Sequence, residues 1–234
     1  MMFRGRRQLV SIAIYLALTS APVMTQSSSS SAKPTKKSDA SPAAGIDPGI
    51  VTNGVYRNKT LTLTCKIPEA WVLRTDEMNA RDEFARNVEE KKAEADPAHY
   101  AAPPASSAGA KVLLAAFSRP PEAKGEEINS SILIAAESAS SYSGLTEAAQ
   151  YFYPLTEVAK AQGFALEEDP YEVAIGTKTL VRGDFHKNVG RRVMHQSTLA
   201  MLSRGYAISI TVIAGSDDEI EDLIDGLTFS ASGK

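Results

Sequence analysis

Six polar residues in the last third of this 234-residue chain, Arg182, Asp184, His186, Arg191, Arg192 and His195, have the types and spacing to do chemistry. In an extended strand successive side chains point to opposite faces, so Arg182, Asp184 and His186 share one face. A turn at Asn188-Val189-Gly190 then brings Arg191, Arg192 and His195 back across from them. A carboxylate with neutral imidazoles is a common donor set for divalent transition metals, which makes Asp184, His186 and His195 the metal candidates. Arg182, Arg191 and Arg192 are the candidates for receiving an acidic partner. Set against both is a plainer reading, in which opposite charges paired across a partly solvated hairpin simply stabilise the sheet.

Other chemistry has no support in the sequence. There is no G-x-S-x-G elbow, phosphate-binding loop, zinc-finger spacing or dinucleotide fingerprint. The single cysteine, Cys65, falls on the inward face of a strand, where a thiol packs rather than reacts. Glu167-Glu168-Asp169 reads as a solvated patch. Asp217-Asp218 opens a helix, where carboxylates complement the dipole. No catalytic residue and no cofactor is therefore expected.

The elements that must position these residues follow from hydrophobic period. Leu61, Leu63, Cys65 and Ile67 alternate with polar residues, a period-two strand that Pro68 ends, and Asn58-Lys59 suits a tight hairpin back to Val55 and Tyr56. Trp71 folds back onto that strand. Met78 to Ala95 reads as a highly charged helix with Phe84 and Val88 as its apolar ridge, and 96–110 as a Pro- and Ala-rich loop. Lys111 to Phe117 and Ile132 to Glu137 are apolar on both faces, as central strands are. Gly144 to Gln162 has helical spacing, with Pro154 expected to kink or split it and Gly163 to stop it. Strands at Lys178–His186, Arg191–Leu202 and Gly205–Ala214 form an antiparallel meander. A capping box at Ser216-Asp217-Asp218-Glu219 then starts a helix that presents Ile220, Leu223, Ile224 and Leu227.

The N-terminus sets the compartment. Arg4, Arg6 and Arg7 precede an apolar run from Leu9 to Leu18, with small residues after it, the pattern of a secretory signal and too short to span a bilayer. Residues 1–25 are read as the signal peptide and 26–49 as a disordered Ser-, Pro- and Lys-rich tether. Residues 50–234 are read as one domain. One cysteine permits no internal disulfide. The chain carries 25 Lys plus Arg against 28 Asp plus Glu, and losing three arginines with the signal leaves 22 against 28, a net charge near minus six. That balance argues against binding nucleic acid or an anionic membrane, both of which need clustered Lys and Arg.

The pattern G-V-Y-x-N-x-x-L-x-L-x-x-x-I-P-x-x-W at Gly54 to Trp71 resembles the PsbP-like and Mog-type family. So does the closing order in Arg191 to Phe229, with its Arg-rich turn, long strand, Arg204-Gly205-Tyr206, the strand AISITVIAG and a helix begun at Ser216. The resemblance implies an α/β fold, an α/β/α sandwich with a central antiparallel sheet and helices on both faces. It also implies an accessory role, as in the extrinsic subunits of the oxygen-evolving complex and the Ran-binding Mog proteins. The chain lacks the Arg- and Ser-rich transit peptide of the first branch, and an exported protein does not meet the nuclear GTPase of the second. No binding residue of the family carries over position by position, and fold alone does not give function.

Together these readings lead to the expectation of an exported, periplasmic or extracellular, non-enzymatic domain that binds a protein or another envelope component. It would have no stable membrane insertion once the signal is cleaved. The rival expectation is a divalent-metal or small-ligand binding protein using the 182–195 hairpin.

Overall fold

The computed structural model describes residues 45–84, 110–123, 125 and 127–231. The expected signal peptide, most of the tether, the helix beyond residue 84 with Val88, and loop residues 96–109 lie outside the described residues.

Twelve strands are found among the described residues, in two sheets. The smaller sheet has the order β1 (Ile50–Thr52), β2 (Val55–Asn58), β3 (Leu63–Lys66) and β12 (Leu227–Phe229), with all pairs antiparallel. Its first hairpin turns at Asn53-Gly54, where φ is 51° and 70°. Positive φ at both central positions matches the right-handed twist of a two-residue hairpin, and Asn and Gly adopt it at least cost. The expected β2–β3 hairpin forms with a longer turn. Asn58 does not take positive φ there. It ends β2 and accepts from the Leu61 N–H at 2.9 Å through Oδ1, while Thr62 carries the positive φ.

The larger sheet runs β4 (Val72–Leu73), β5 (Lys111–Phe117), β6 (Ser131–Ser138), β11 (Tyr206–Ala214), β10 (Arg192–Ser203), β9 (Lys178–Val189) and β7 (Ala165–Leu166). Strand β8 (Tyr171–Ile175) also pairs with β9. The β9–β10–β11 meander forms as its turn signals require, and β5 and β6 are buried on both faces.

Three α-helices accompany the sheets among the described residues. Residues 75–84 (α1) set Met78 against Val112, Ala115 and Phe117. Phe84, expected on the apolar ridge, is instead exposed. Helix α2 (Ala148–Ala161) continues unsplit through Pro154 and buries Tyr151, Phe152 and Ala159 against β9 and β10. Helix α3 (Asp217–Asp225) is capped by Ser216, whose hydroxyl accepts from the Glu219 N–H at 3.3 Å. It packs Ile220, Leu223 and Ile224 into the core.

The expected α/β/α sandwich, with helices on both faces of the sheet, is not what forms. The chain is predominantly antiparallel β-structure in two sheets. The core on the face of the large sheet opposite α2 is shared mainly with the second sheet, through Tyr56, Leu61, Leu63, Cys65 and Phe229, and α3 fills in beside it. The cause lies in the sequence period. Residues 50–66 and Leu227–Phe229 alternate every two residues and pair with each other, so the two ends of the domain build a sheet where a helical layer was expected. The core begins before β1, at Ile46, which is buried.

Candidate partner-binding groove

The hairpin residues singled out by type come first. Arg182 points from β9 toward α3, donating through Nη1 and Nη2 to Glu221 at 3.1 and 2.5 Å and through Nε to Asp184 at 3.0 Å. Asp184 also accepts from the Tyr171 hydroxyl at 2.9 Å, and the guanidinium lies 5.9 Å from the Tyr171 ring centroid. Burial works against the charge on Arg182, but Glu221 and Asp184 more than offset it and hold the guanidinium firmly ionised. Arg182 thus ties β9 to α3, and Asp184 is occupied by Arg182 and by Tyr171 of β8.

His186 and His195 are opposite each other in the β9–β10 register, so alternation places them on one face. Each has a different carboxylate beside it. His186 Nδ1 lies 3.3 Å from Glu167, and His195 Nδ1 lies 2.6 Å from Asp217 but outside hydrogen-bond alignment. Among the described residues no three His, Cys, Asp or Glu side chains are placed to hold one metal ion. Arg191 and Arg192 sit at the hairpin tip, with Arg192 opposite Val189. Arg182 is seven residues farther along β9, roughly 23 Å at strand rise. The arginines therefore do not gather into one patch.

A different site emerges from the edges of the sheets. β1 ends the small sheet and β4 ends the large one, and among the described residues neither outer edge has a strand partner. Two open hollows lie between them. One, of about 590 Å³, is lined by Val51, Lys66, Ile67, Glu69, Trp71 and Leu73 with the turn at Asn53-Gly54. The other, of about 470 Å³, is lined by Pro48, Ile50, Val51, Tyr56, Leu73 and the start of α1. Val51 and Leu73 line both, so the hollows form one slot. Its lips are apolar and open to solvent, with Ile50 63%, Leu73 45% and Val51 38% exposed. Three large apolar side chains clustered at unpaired strand edges are more than the scattered exposed leucine of an ordinary surface.

The position of β1 is fixed from behind. The Tyr56 hydroxyl donates to the Pro48 carbonyl at 3.0 Å, and Asn58 Nδ2 donates to the Asp47 carbonyl at 2.7 Å and to the Tyr56 oxygen at 3.1 Å. Asp47 Oδ1 accepts from the Gly49 N–H at 3.0 Å. Gly49 lies flat on the Tyr56 ring, where an added Cβ would come within 2.5 Å of Cε2. Burial, only partly offset by the hydrogen bond with Asn58, pushes the Tyr56 phenol up to about 12, so it stays a donor at neutral pH. On the other side, β4 is held to β5 at Val72–Phe117 and Leu73–Ala116, and the Arg74 N–H donates to the Ala115 carbonyl at 2.9 Å.

Reasoning from residue type missed this slot because aliphatic side chains carry no chemistry. Its signal was Ile50-Val51-Thr52 followed by Asn53-Gly54, β-formers running into a hairpin turn.

No protein-family model and no curated protein matches the chain. Among solved structures, the chain is similar to PA94 from Pseudomonas aeruginosa, described as a protein of unknown function and putative regulator. The identity is 21% and the TM-score 0.31, covering 42% of this chain and 67% of that one. It is also similar to LpqN of Mycobacterium tuberculosis, described as involved in cell envelope biogenesis. There the identity is 13% and the TM-score 0.35, covering 72% of this chain and 83% of that one. No helix among the described residues is long and apolar enough to cross a membrane.

Proposed function

We propose that this chain is an exported, non-enzymatic accessory domain of the cell envelope that binds a protein partner through the slot between β1 and β4. The observation that carries the reading is that β1 and β4 end their sheets with no strand partner on the outer edge among the described residues, with Ile50, Val51 and Leu73 exposed there. Burying such side chains is worth about 25 cal/mol per Å² of apolar area, and the fold itself leaves that term unused. Of the polar residues that would otherwise argue for chemistry, Arg182 is engaged with Glu221 on α3 and Asp184 with Arg182 and Tyr171. Export rests on the basic, then apolar, N-terminal run. The PsbP-like and Mog-type resemblance rests on Gly54 to Trp71 and adds the accessory character.

The test is affinity capture from the native envelope fraction, using the exported protein and the variants Ile50→Asp and Leu73→Asp, with Val193→Asp as control. Val193 is also an exposed apolar residue, but it lies on β10, away from the slot. A partner that is lost by both groove variants and kept by the control supports the reading. A partner kept by all four proteins moves the binding surface elsewhere. A preparation that instead carries bound metal, lost on His186→Ala, restores the metal-binding reading of Asp184, His186 and His195.

A further inference from the structure

At the Ser138 end of β6, outside the lining of the slot, Glu137 is buried and has no ion pair among the described residues. Its two carboxyl oxygens accept from the hydroxyls of Tyr151 on α2 and of Tyr142, which follows the single 3₁₀ turn Ala139–Ser141. We infer that residues 139–147 form a strap over this end of the sheet, whose hold weakens as Glu137 gives up its proton. A carboxylate out of water with only hydroxyl partners is costly, whereas the neutral acid can accept from one tyrosine and donate to the other. Readmitting water relieves that cost. Tyr151 is fully buried and Tyr142 is partly exposed, so water reaches the carboxylate by displacing Tyr142 together with the segment that carries it.

The Ala139 N–H donates to the Gly205 carbonyl in the β10–β11 turn at 2.9 Å. Beyond it the bonds from the Tyr142 N–H to Ala139 at 3.2 Å and from the Leu145 N–H to Tyr142 at 3.3 Å stay within the strap. Tyr142 supplies the side-chain hold, through Glu137 and through its ring, which meets that of Tyr151 edge-on with centroids 5.3 Å apart. With Leu145 it packs against the cluster of Tyr151, Phe152 and Ala207, so release exposes apolar surface. Neighbouring elements supply no counter-charge. Lys111 of β5 pairs with Ala136 on the opposite face of the sheet and reaches the Ile46 carbonyl at 3.5 Å. Arg204 in the β10–β11 turn and Glu147 before α2 are exposed, and Ser209 of β11 is neutral and bonds Tyr151. Burial raises the Glu137 carboxyl, and the two tyrosines only partly counter this. In the open strap the carboxyl is hydrated and returns toward its ordinary value. The closed strap therefore binds the extra proton: it is held fully below about 4.5 and opens more readily as pH rises through the raised value.

Amide hydrogen exchange on the full chain tests this at Ala139, Tyr142 and Leu145, whose N–H groups are bonded in the closed strap. Once the intrinsic dependence of exchange on pH is divided out, their opening should grow by up to about tenfold per pH unit above about 4.5 and then level off. Glu137→Gln should lose that rise. Tyr142→Phe keeps the ring against Tyr151 and removes one donor to the carboxylate, so its rise should continue to higher pH than in the wild type. The three amides should also exchange at least about tenfold faster than Leu199 and Ile210 in the middle of β10 and β11, and low urea should accelerate only the latter pair. The inference is overturned if the corrected wild-type opening is flat with pH, or if Glu137→Gln follows the wild type. It is equally overturned if the strap amides match Leu199 and Ile210 in rate and urea response, since opening is then global unfolding. Should Glu137→Gln fail to fold, Tyr142→Phe decides, and a profile equal to that of the wild type overturns the inference. None of these outcomes involves a residue of the slot, so the proposed function is tested separately.

Discussion

Val51 on β1 and Leu73 on β4, the terminal strands of two different sheets, both line the two hollows of the slot. Neither is needed to close the core, since each is more than a third exposed. Leu73→Asp should therefore change unfolding free energy by less than about 1 kcal/mol, as expected of surface positions. Urea denaturation measures this directly. A loss of several kcal/mol would show that Leu73 supports the fold, and its effect on binding would then have to be read from Ile50→Asp instead.

Arg182 joins three elements through one guanidinium, with Asp184 on β9, Glu221 on α3 and the Tyr171 ring on β8. Its side chain is 10% exposed, whereas that of Glu221 is 54% exposed. Removing the buried member strands Asp184 without its counter-charge, so Arg182→Ala should cost about 2–4 kcal/mol. Glu221→Gln, at the solvated end, should cost under about 1 kcal/mol. Equal costs in chemical denaturation would contradict this division. If the three residues instead form a binding site, Arg182→Ala leaves stability almost unchanged.

Much of this arrangement was legible in the sequence. The β9–β11 meander, α3 with its Ser216 cap and the inward face of Leu63 and Cys65 follow from period and turn chemistry, which are local. The layer opposite α2 was not, because it depends on Leu227–Phe229 pairing with Leu63–Cys65, residues far apart in the chain. Alternation put Arg182, Asp184 and His186 on one face, but only the fold shows that Glu221, from another element, completes the charge cluster. His186 and His195 do face each other in register, yet separate carboxylates stand beside their Nδ1 atoms. Sequence spacing carries no information about which carboxylate from a distant element arrives at a ring nitrogen.

Glu137 on β6 is buried, has no ion pair among the described residues, and accepts hydrogen bonds from the hydroxyls of Tyr142 and Tyr151, the latter at 3.1 Å. Burial raises its carboxyl above the usual range, and the two tyrosine hydrogen bonds only partly counter this. Because the folded-state value lies above the unfolded one, the folded protein binds the extra proton between them. Its stabilising contribution is complete below the ordinary carboxylate value, near 4.5, and fades as pH rises through the folded value. Glu137→Gln removes the titration and keeps the shape, with one oxygen still accepting from a tyrosine and an NH2 in place of the other, to which the second tyrosine oxygen can turn as acceptor. The variant should lose that component of the fall in stability with rising pH, measured as the difference between wild-type and variant urea midpoints from pH 4 upward. Parallel curves would show that the carboxyl titrates alike in both states. Glu137→Ala, by contrast, leaves two hydroxyls without their acceptor and should destabilise by about 2–4 kcal/mol at every pH.

Gly183 on β9 is the seat of α2. The Phe152 ring rests on its backbone so closely that an added Cβ would lie 2.5 Å from Cζ and 2.6 Å from Cε1, and the same ring stacks on Phe185 with centroids 6.2 Å apart at 9°. Both phenylalanines are almost fully buried, and α2 has no room to slide without breaking that stack. Gly183→Ala should therefore cost about 1–3 kcal/mol by overpacking. Adding Phe152→Leu should recover part of the loss, because the smaller side chain vacates the space the methyl needs. A double mutant no more stable than the sum of the two single changes would locate the strain in the β9 backbone instead of at the ring. The β1–β4 slot lies at the opposite edge of the sheet from β9, so neither change should alter partner capture. A shared loss of stability and binding would show that docking of α2 and the shape of the slot are coupled through the sheet.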